Sequence, residues 1–319
     1  MDLAILTERA QMLHDIRDFF YARQVLEVET PALSQAGNTD PAIDSFSVDI
    51  GNTNTNSLPL LRYLHTSPEY FMKRLLVAGA GDIYQIAKVW RKEEQGVRHN
   101  PEFTMLEWYR IGFSYHQLMR EVETLLLLLL PCLNESSCFI TYQQAFLEKL
   151  NIDPHSATHT ELRCCMQNQA IDIIGELDRS AILDVLMTHC IEPHFAQDRL
   201  TFVYDYPVIQ QALASVAHAT KTALPVAERF EVYSGCLELA NGYQEQVDAV
   251  VNRAVLQQDA AMRMRLGKTT IPVDELFLQA MEQGMPAASG VALGLDRVLM
   301  QRLHKERLED VLSFPWTMA

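Results

Sequence analysis

The sequence predicts one α+β domain over residues 1–319, an antiparallel sheet flanked by helices with a helical insertion at about 139–196. Three observations predict it. Runs of strand length rich in β-branched and aromatic residues, IYQIAKVW, MLEWYRIGF, LTFVYDYPV and RFEVYSGCLELAN, recur with polar or charged chain between them. Apolar residues at helical spacing fill the stretches before and between those runs. No repeat or low-complexity linker separates the pieces, and 319 residues at 48% hydrophobic composition suffice for a substantial core.

Each element follows from its local pattern. Leu6, Leu13, Ile16, Phe19 and Phe20 keep mostly helical spacing over Leu6 to Gln24, and VLEVETP then reads as an extended segment ended by Pro31. Gly37 to Ile50 reads as irregular chain leading into a strand, and GNTNTNS, Gly51 to Ser57, as a polar hairpin tip. HTSPEYFMKRLLVAG predicts a loop feeding a helix, IYQIAKVWRKE a buried strand, and MLEWYRIGF a second strand beyond a charged loop. Helices are expected over Tyr115 to Leu130, Gln143 to Leu150 and, in pieces, Thr158 to Cys190. Strand character returns in LTFVYDYPV and RFEVYSGCLELAN. A long helix is expected over Gly242 to Met264, and a glycine-punctuated strand entering a helix over Ser289 to Leu303.

Composition excludes several classes. Leu125 to Leu130 is the conspicuous apolar run, far short of the ~20 residues a membrane span needs, so a buried helix is expected there. MDLAILTERAQ has no basic leader before an apolar stretch, which predicts a cytoplasmic protein. The six cysteines lack CxxC spacing and read as free, mostly buried thiols. With 41 acidic against 26 basic residues and a net charge of −15, extended nucleic-acid binding is disfavoured; a basic small molecule or a basic patch on another protein suits the charge better.

The chemistry concentrates in VWRKEEQGVRHNPEFTMLEWY. Arg91 at a strand end can meet a carboxylate or an α-phosphate through its planar fork, Arg98 in the charged loop can reach outer phosphates, and Phe103 can stack on a purine. On the residues alone, a surface ion pair of Arg91 with Glu93 and a core role for Phe103 stay open. The segment resembles the second signature motif of class II aminoacyl-tRNA synthetases, and VRHNPEFTMLE is especially similar to that of lysyl-tRNA synthetases. The resemblance implies that Lys92, Glu93, His99 and Asn100 also belong to the ATP site. SGVALGLDRVLM looks like the third motif, with Gly290 and Gly294 allowing close backbone approach to the adenylate and Arg297 holding the terminal phosphate. VLEVETPAL looks like the first motif, which in this family lies at a two-fold interface and so implies a homodimer.

Two further segments extend the resemblance. In RFEVYSGCLELANGYQE, Glu231 and Glu238 would share a face through a bulge near Gly235 and bind Mg²⁺ with ATP, with Leu239 beside the nucleotide. Asn241, Tyr243 and Glu245 resemble the lysine-recognition segment, Asn241 toward the substrate carboxylate and Glu245 toward its ammonium. Glu107, Tyr109 and the Ser67, Pro68, Glu69 run of TSPEY would complete the pocket. A substrate without the distal ammonium would strand a buried carboxylate there.

Together these imply attack of an amino acid carboxylate on the α-phosphate of ATP, with Arg91 and Arg297 as the catalytic arginines and no protein nucleophile. The first motif starts within the first helix and strand, so no anticodon-binding domain is expected. Ala292 stands where the third motif usually has its middle glycine, adding a methyl at the pocket floor. Both departures resemble the stand-alone synthetase paralogues that join (R)-β-lysine to a lysine of elongation factor P. (R)-β-lysine or lysine is therefore the expected substrate and elongation factor P the expected partner. Two alternatives stay open: a minimal lysyl-tRNA synthetase, and an inactive synthetase-like binding or regulatory protein.

Overall fold

A computed structural model describes residues 2–51, 60–133, 135–172, 175–218 and 224–319. Beyond Gly51, the expected hairpin tip lies outside the described residues. Contacts divide the chain into two compact units, Met1–Phe113 with Gln246–Ala319, and Ser114–Glu245.

The first unit opens with α1 (Leu3–Tyr21), capped by the Asp2 carboxylate, which accepts from the Ala4 N–H. Its apolar stripe, Met12, Ile16, Phe19 and Phe20, is buried. Phe20 stacks on Tyr84 at 4.3 Å between ring centres and meets the edge of Trp108 at 5.4 Å. The chain continues through β1 (Leu26–Glu27), β2 (Leu33–Ser34), β3 (Ser47–Asp49), β4 (Leu61–Leu64) and α2 (Glu69–Val77) to the long strands β5 (Ile83–Trp90) and β6 (Glu102–Ile111). A small sheet runs in the order β2-β4-β3.

The second unit comprises α3 (Tyr115–Leu129), β7 (Cys138–Thr141), α4 (Tyr142–Leu150), α5 (His159–Asn168), α6 (Arg179–Leu186), a wide helical turn at Met187–Ile191, and then β8 (Leu200–Pro207), β9 (Val216–His218), β10 (Pro225–Ser234) and β11 (Leu237–Gln244). A reciprocal cap, Ser114 with Gln117, starts α3. Its leucine run is half in and half out: Leu125, Leu126 and Leu129 are buried, Leu127 and Leu128 exposed. Tyr142, Phe146, Leu162, Ile182, Leu183 and Leu186 of α4 to α6 form one apolar core with Val203 and Tyr206 of β8 and Tyr233 of β10. In this unit the strand order is β11-β10-β8-β7, with β9 on β10.

The chain returns to the first unit through α7 (Ala249–Arg265), α8 (Glu275–Met281), β12 (Ala288–Gly294) and α9 (Leu295–Arg302). β12 runs antiparallel to β6, which gives that unit the order β1-β5-β6-β12.

Three expectations need correction. Among the described residues not every pair is antiparallel as expected, since β1 runs parallel to β5 in the first unit and β7 parallel to β8 in the second. The long helix does not begin at Gly242: Asn241, Gly242 and Tyr243 pair with Glu231, Phe230 and Arg229, and the helix starts only where Asp248 caps Val250 and Val251. The cysteines are free but mostly half-buried; Cys165 is buried and Cys164 exposed.

Candidate active site

In the first unit, antiparallel register puts one row of side chains on a common face: Gln85 opposite Glu107, Ala87 opposite Met105 and Val89 opposite Phe103, with Ala292 opposite Glu107 on the other side. Phe103 and Ala292 pack on Ala87, Val89 and Met105, leaving Phe103 partly open. Arg91, just past β5, sets its guanidinium 5.2 Å from the centre of the Phe103 ring and 3.8 Å from the Glu94 carboxylate. An aromatic plate beside an arginine at a sheet edge can take a purine and a phosphate.

The charged loop holds further predicted residues. Arg297 Nη2 donates to His99 Nε2 at 2.8 Å. Partial burial, and then the Arg297 guanidinium, push His99 below the usual imidazole range, consistent with a neutral ring accepting that bond. Arg297 is oriented by its neighbour: Asp296 is buried, takes Arg9 Nη2 at 2.5 Å on one oxygen and the Thr104 N–H at 2.6 Å on the other, and so ties the first turn of α9 to β6. Asn100 is spent on structure, donating to the Glu102 carbonyl at 2.6 Å and accepting from the Trp316 N–H at 3.1 Å. Lys92 and Glu93 are exposed and 3.8 Å apart, and Arg98 is exposed.

Farther along the same face, Glu107 is buried between two hydroxyl donors, Ser67 Oγ at 2.6 Å and Tyr109 Oη at 2.6 Å. Burial, and then the neighbouring Glu69 charge, raise its carboxyl to about 7. Pro68 precedes α2, and Glu69 in its first turn takes the buried Lys73 Nζ at 2.6 Å. A small pocket opens beside Ser67 and Glu69, lined also by Asn38, His65, Thr66 and Asp274. Four predicted residues, Ser67, Glu69, Glu107 and Tyr109, are thus in one hydrogen-bonded cluster suited to an ammonium group.

In the second unit, β10 and β11 form a hairpin whose turn contains Gly235 at φ +56, a left-handed conformation that glycine adopts without strain. The bulge lies elsewhere than expected. Val232 pairs with Ala240 but Tyr233 with Glu238, so Leu239 is the extra residue, and its side chain is buried. Pairing with Tyr233 puts Glu238 on the face of Glu231 and Tyr233, and the skip brings Asn241, opposite Glu231, onto the same face. Glu231 accepts from Arg229 Nη2 at 2.6 Å, from Asn241 Nδ2 at 3.3 Å and from the Tyr233 hydroxyl. Tyr243 follows on the same face and packs on the core of this unit, and the buried Glu245 bridges to Ala214 just past β11. Two carboxylates on one face are hard oxygen donors of the kind Mg²⁺ takes, so the residues present fit that ion.

Lys73, Arg229, Tyr233 and the orienting role of Asp296 are not among the expected residues. The signals are present in the sequence: Glu69 and Lys73 stand at i, i+4 on a helix, and Arg229, Glu231 and Tyr233 alternate along a strand.

The family profile described as tRNA synthetases class II (D, K and N) matches residues 3–318. Curated relatives named elongation factor P–(R)-beta-lysine ligase are similar along nearly the whole chain. Those of Edwardsiella ictaluri and Proteus mirabilis are 45% identical over 314 and 316 residues, in each case 98% of this chain and 95% of the relative. That of Photorhabdus laumondii is 45% identical over 320 residues, 99% of this chain and 96% of the relative.

Proposed function

We infer the reaction from one premise: the chain belongs to the class II aminoacyl-tRNA synthetases of the D, K and N group and, within them, to the family of elongation factor P–(R)-β-lysine ligases. It is an ATP-dependent ligase that activates (R)-β-lysine as the adenylate and transfers the β-lysyl group to the ε-amino group of a lysine on elongation factor P. A carboxylate oxygen of the amino acid attacks the α-phosphorus of ATP and pyrophosphate leaves. The acceptor amine then attacks the carbonyl carbon of the adenylate, loses a proton and expels AMP, leaving an amide.

Arg91 would hold the reacting carboxylate and α-phosphate while Phe103 stacks on adenine, and Arg297 would exchange its bond to His99 for one to the outer phosphates. Lys92, Glu93, Arg98, Asn100, Leu239 and Gly294 form the rest of the proposed ATP set, His99 and Asn100 by holding the loop. Glu231 and Glu238 would hold Mg²⁺, which supplies charge neutralisation on the phosphates. Asn241 is assigned to the substrate carboxylate, Ser67, Glu69, Glu107 and Tyr109 to an amino group, and Glu245 to the second, with Pro68, Tyr243 and Ala292 also assigned to the substrate. Ala292 stands opposite Glu107 on the same face, so its methyl bears on where the amino group sits.

The observation that carries the reading is the Glu107 cluster: a buried carboxylate held by two hydroxyls beside Glu69 suits an ammonium group. A homodimer through the first-motif surface is part of the proposal, supported by exposed Tyr21, Leu26 and Leu33 there. A cytoplasmic site of action is part of the proposal, and no described helix is long and apolar enough to cross a membrane. The test is incubation with ATP and labelled (R)-β-lysine or lysine, offering either purified elongation factor P or total tRNA. Label on elongation factor P, greater with (R)-β-lysine, is expected; label on tRNA alone would overturn the assignment.

A further inference from the structure

Arg229 anchors a buried polar network in the second unit. Its Nε donates to Asn241 Oδ1 at 3.3 Å, Nη1 to the Gln210 carbonyl at 2.8 Å and Nη2 to Glu231 Oε1 at 2.6 Å, and its guanidinium lies 4.8 Å from the centre of the Tyr206 ring. Asn241 Nδ2 closes the triangle on Glu231. The amide orientation follows: a flip would turn its NH₂ onto the guanidinium and its oxygen onto the carboxylate. One N–H of Asn241 is thereby used on Glu231, and the other is held in a fixed direction.

The network reaches the helices inserted between β7 and β8. Gln210 Nε2 donates at 2.6 Å to Asp184 Oδ1 on α6, while the carbonyl of the same residue receives Arg229. Burial raises the Asp184 carboxyl to about 6, with Arg229 pulling the other way. Glu231 and Glu238 share a face, so their like charges repel. The Arg229 guanidinium is the cation that offsets this at Glu231.

We propose that Arg229 is a positioning residue that holds Glu231 and Asn241 as one unit for the activation step, and that the helical insertion takes part by holding Gln210, and through it Arg229, from Asp184. The proposal rests on the reading of Glu231 as a carboxylate that serves the Mg²⁺ of MgATP. It gives the insertion a part in the chemistry, one that requires no contact with substrate.

A double-mutant cycle tests it, with two readouts: lysine-dependent ATP/pyrophosphate exchange, and Mn²⁺ affinity in the presence of ATP by electron paramagnetic resonance. Arg229→Lys is expected to lower kcat/KM by about tenfold or more and to weaken Mn²⁺ binding, yet to change either by less than about twofold in the Glu231→Gln background. Asp184→Asn, nearly isosteric and less disruptive to folding, is expected to act in the same direction, by about threefold, and to add nothing in the Arg229→Lys background. Equal losses from Arg229→Lys in the parent protein and in the Glu231→Gln background would show a merely structural role and overturn the proposal, as would unchanged exchange in both single variants. Native Mn²⁺ affinity in Glu231→Gln alone would instead sink the metal reading, and the coupling in exchange rate would still decide the positioning role.

Discussion

Burial and a neighbouring carboxylate raise the Glu107 carboxyl from the usual carboxylate range to about 7, and two consequences of opposite sign follow. In the free protein the folded value lies above the unfolded one, so Glu107 favours folding most below about pH 4.5, where both forms are protonated, and that contribution is lost as pH climbs through about 7. An ammonium substrate prefers the ionised form, so binding it releases a proton below that pH. The KM for lysine in ATP/pyrophosphate exchange is therefore expected to fall as pH rises from 6 to 7.5 and then level off. Glu107→Gln should weaken binding throughout and flatten that limb, while raising the melting temperature relative to the parent protein above pH 7. A pH-independent KM in the parent protein would remove Glu107 from ammonium recognition. This carboxylate is legible in the sequence because it stands inside MLEWY, two residues before its partner Tyr109 on the same strand face. Lys73 is harder to see, since a lysine on an amphipathic helix gives no sign that it is fully buried against Glu69.

Among elements, the β10–β11 hairpin decides whether Glu231 and Glu238 can act together. Tyr233 pairs with Glu238 beside the turn, so Glu238 shares the face of Glu231 two residues along β10, and the extra residue Leu239 brings Asn241 onto it as well. Deleting Leu239 is expected to keep Tyr233 opposite Glu238 and Val232 opposite Ala240, now in unbroken register, so that Glu231 and Glu238 stay on one face. ATP-dependent Mn²⁺ binding should then stay well above that of Glu238→Ala, and Leu239→Val, which keeps the bulge, should likewise retain most of it. A loss in the deletion as complete as in Glu238→Ala would show that the bulge, rather than the pairing beside the turn, holds the two carboxylates together. The long strands and α3 are readable because their patterns are strong and continuous. The sequence points to a bulge but puts it nearer the glycine, because a bulge here depends on which partner each residue meets, and register is a property of two segments. For the same reason GYQ reads as the start of a helix: its own propensity is weak, and pairing of Gly242 with Phe230 and of Tyr243 with Arg229 keeps it extended.

Across the whole chain, sequence order hides how the first unit is assembled, because it is built from residues at both ends of the polypeptide. β12 against β6 and Asp296 with Arg9 and Thr104 are two of the ties. The third is Arg263, buried on α7 and more than two hundred residues from most of its partners. It donates to the carbonyls of Thr269, Asp40 and Ile43 and forms an ion pair with Asp44, whose other oxygen takes Lys268 Nζ at 2.9 Å. No local pattern marks this arginine; MRMRLG reads as an ordinary exposed helix end. Replacing it with Met keeps much of the volume but strands three carbonyls and part of a carboxylate, and should cost about 3–5 kcal/mol in urea unfolding. Lys268→Met removes the more exposed partner of the same Asp44, where solvent already screens the charge, and should cost no more than about 1 kcal/mol. The residues that Arg263 fixes, Asp40 to Asp44, follow Asn38 of the pocket beside Glu69, so Arg263→Met should also raise the KM for lysine at temperatures where the variant is still folded. Similar losses of stability from the two substitutions would show that Asp44, rather than the buried carbonyls, carries the tie.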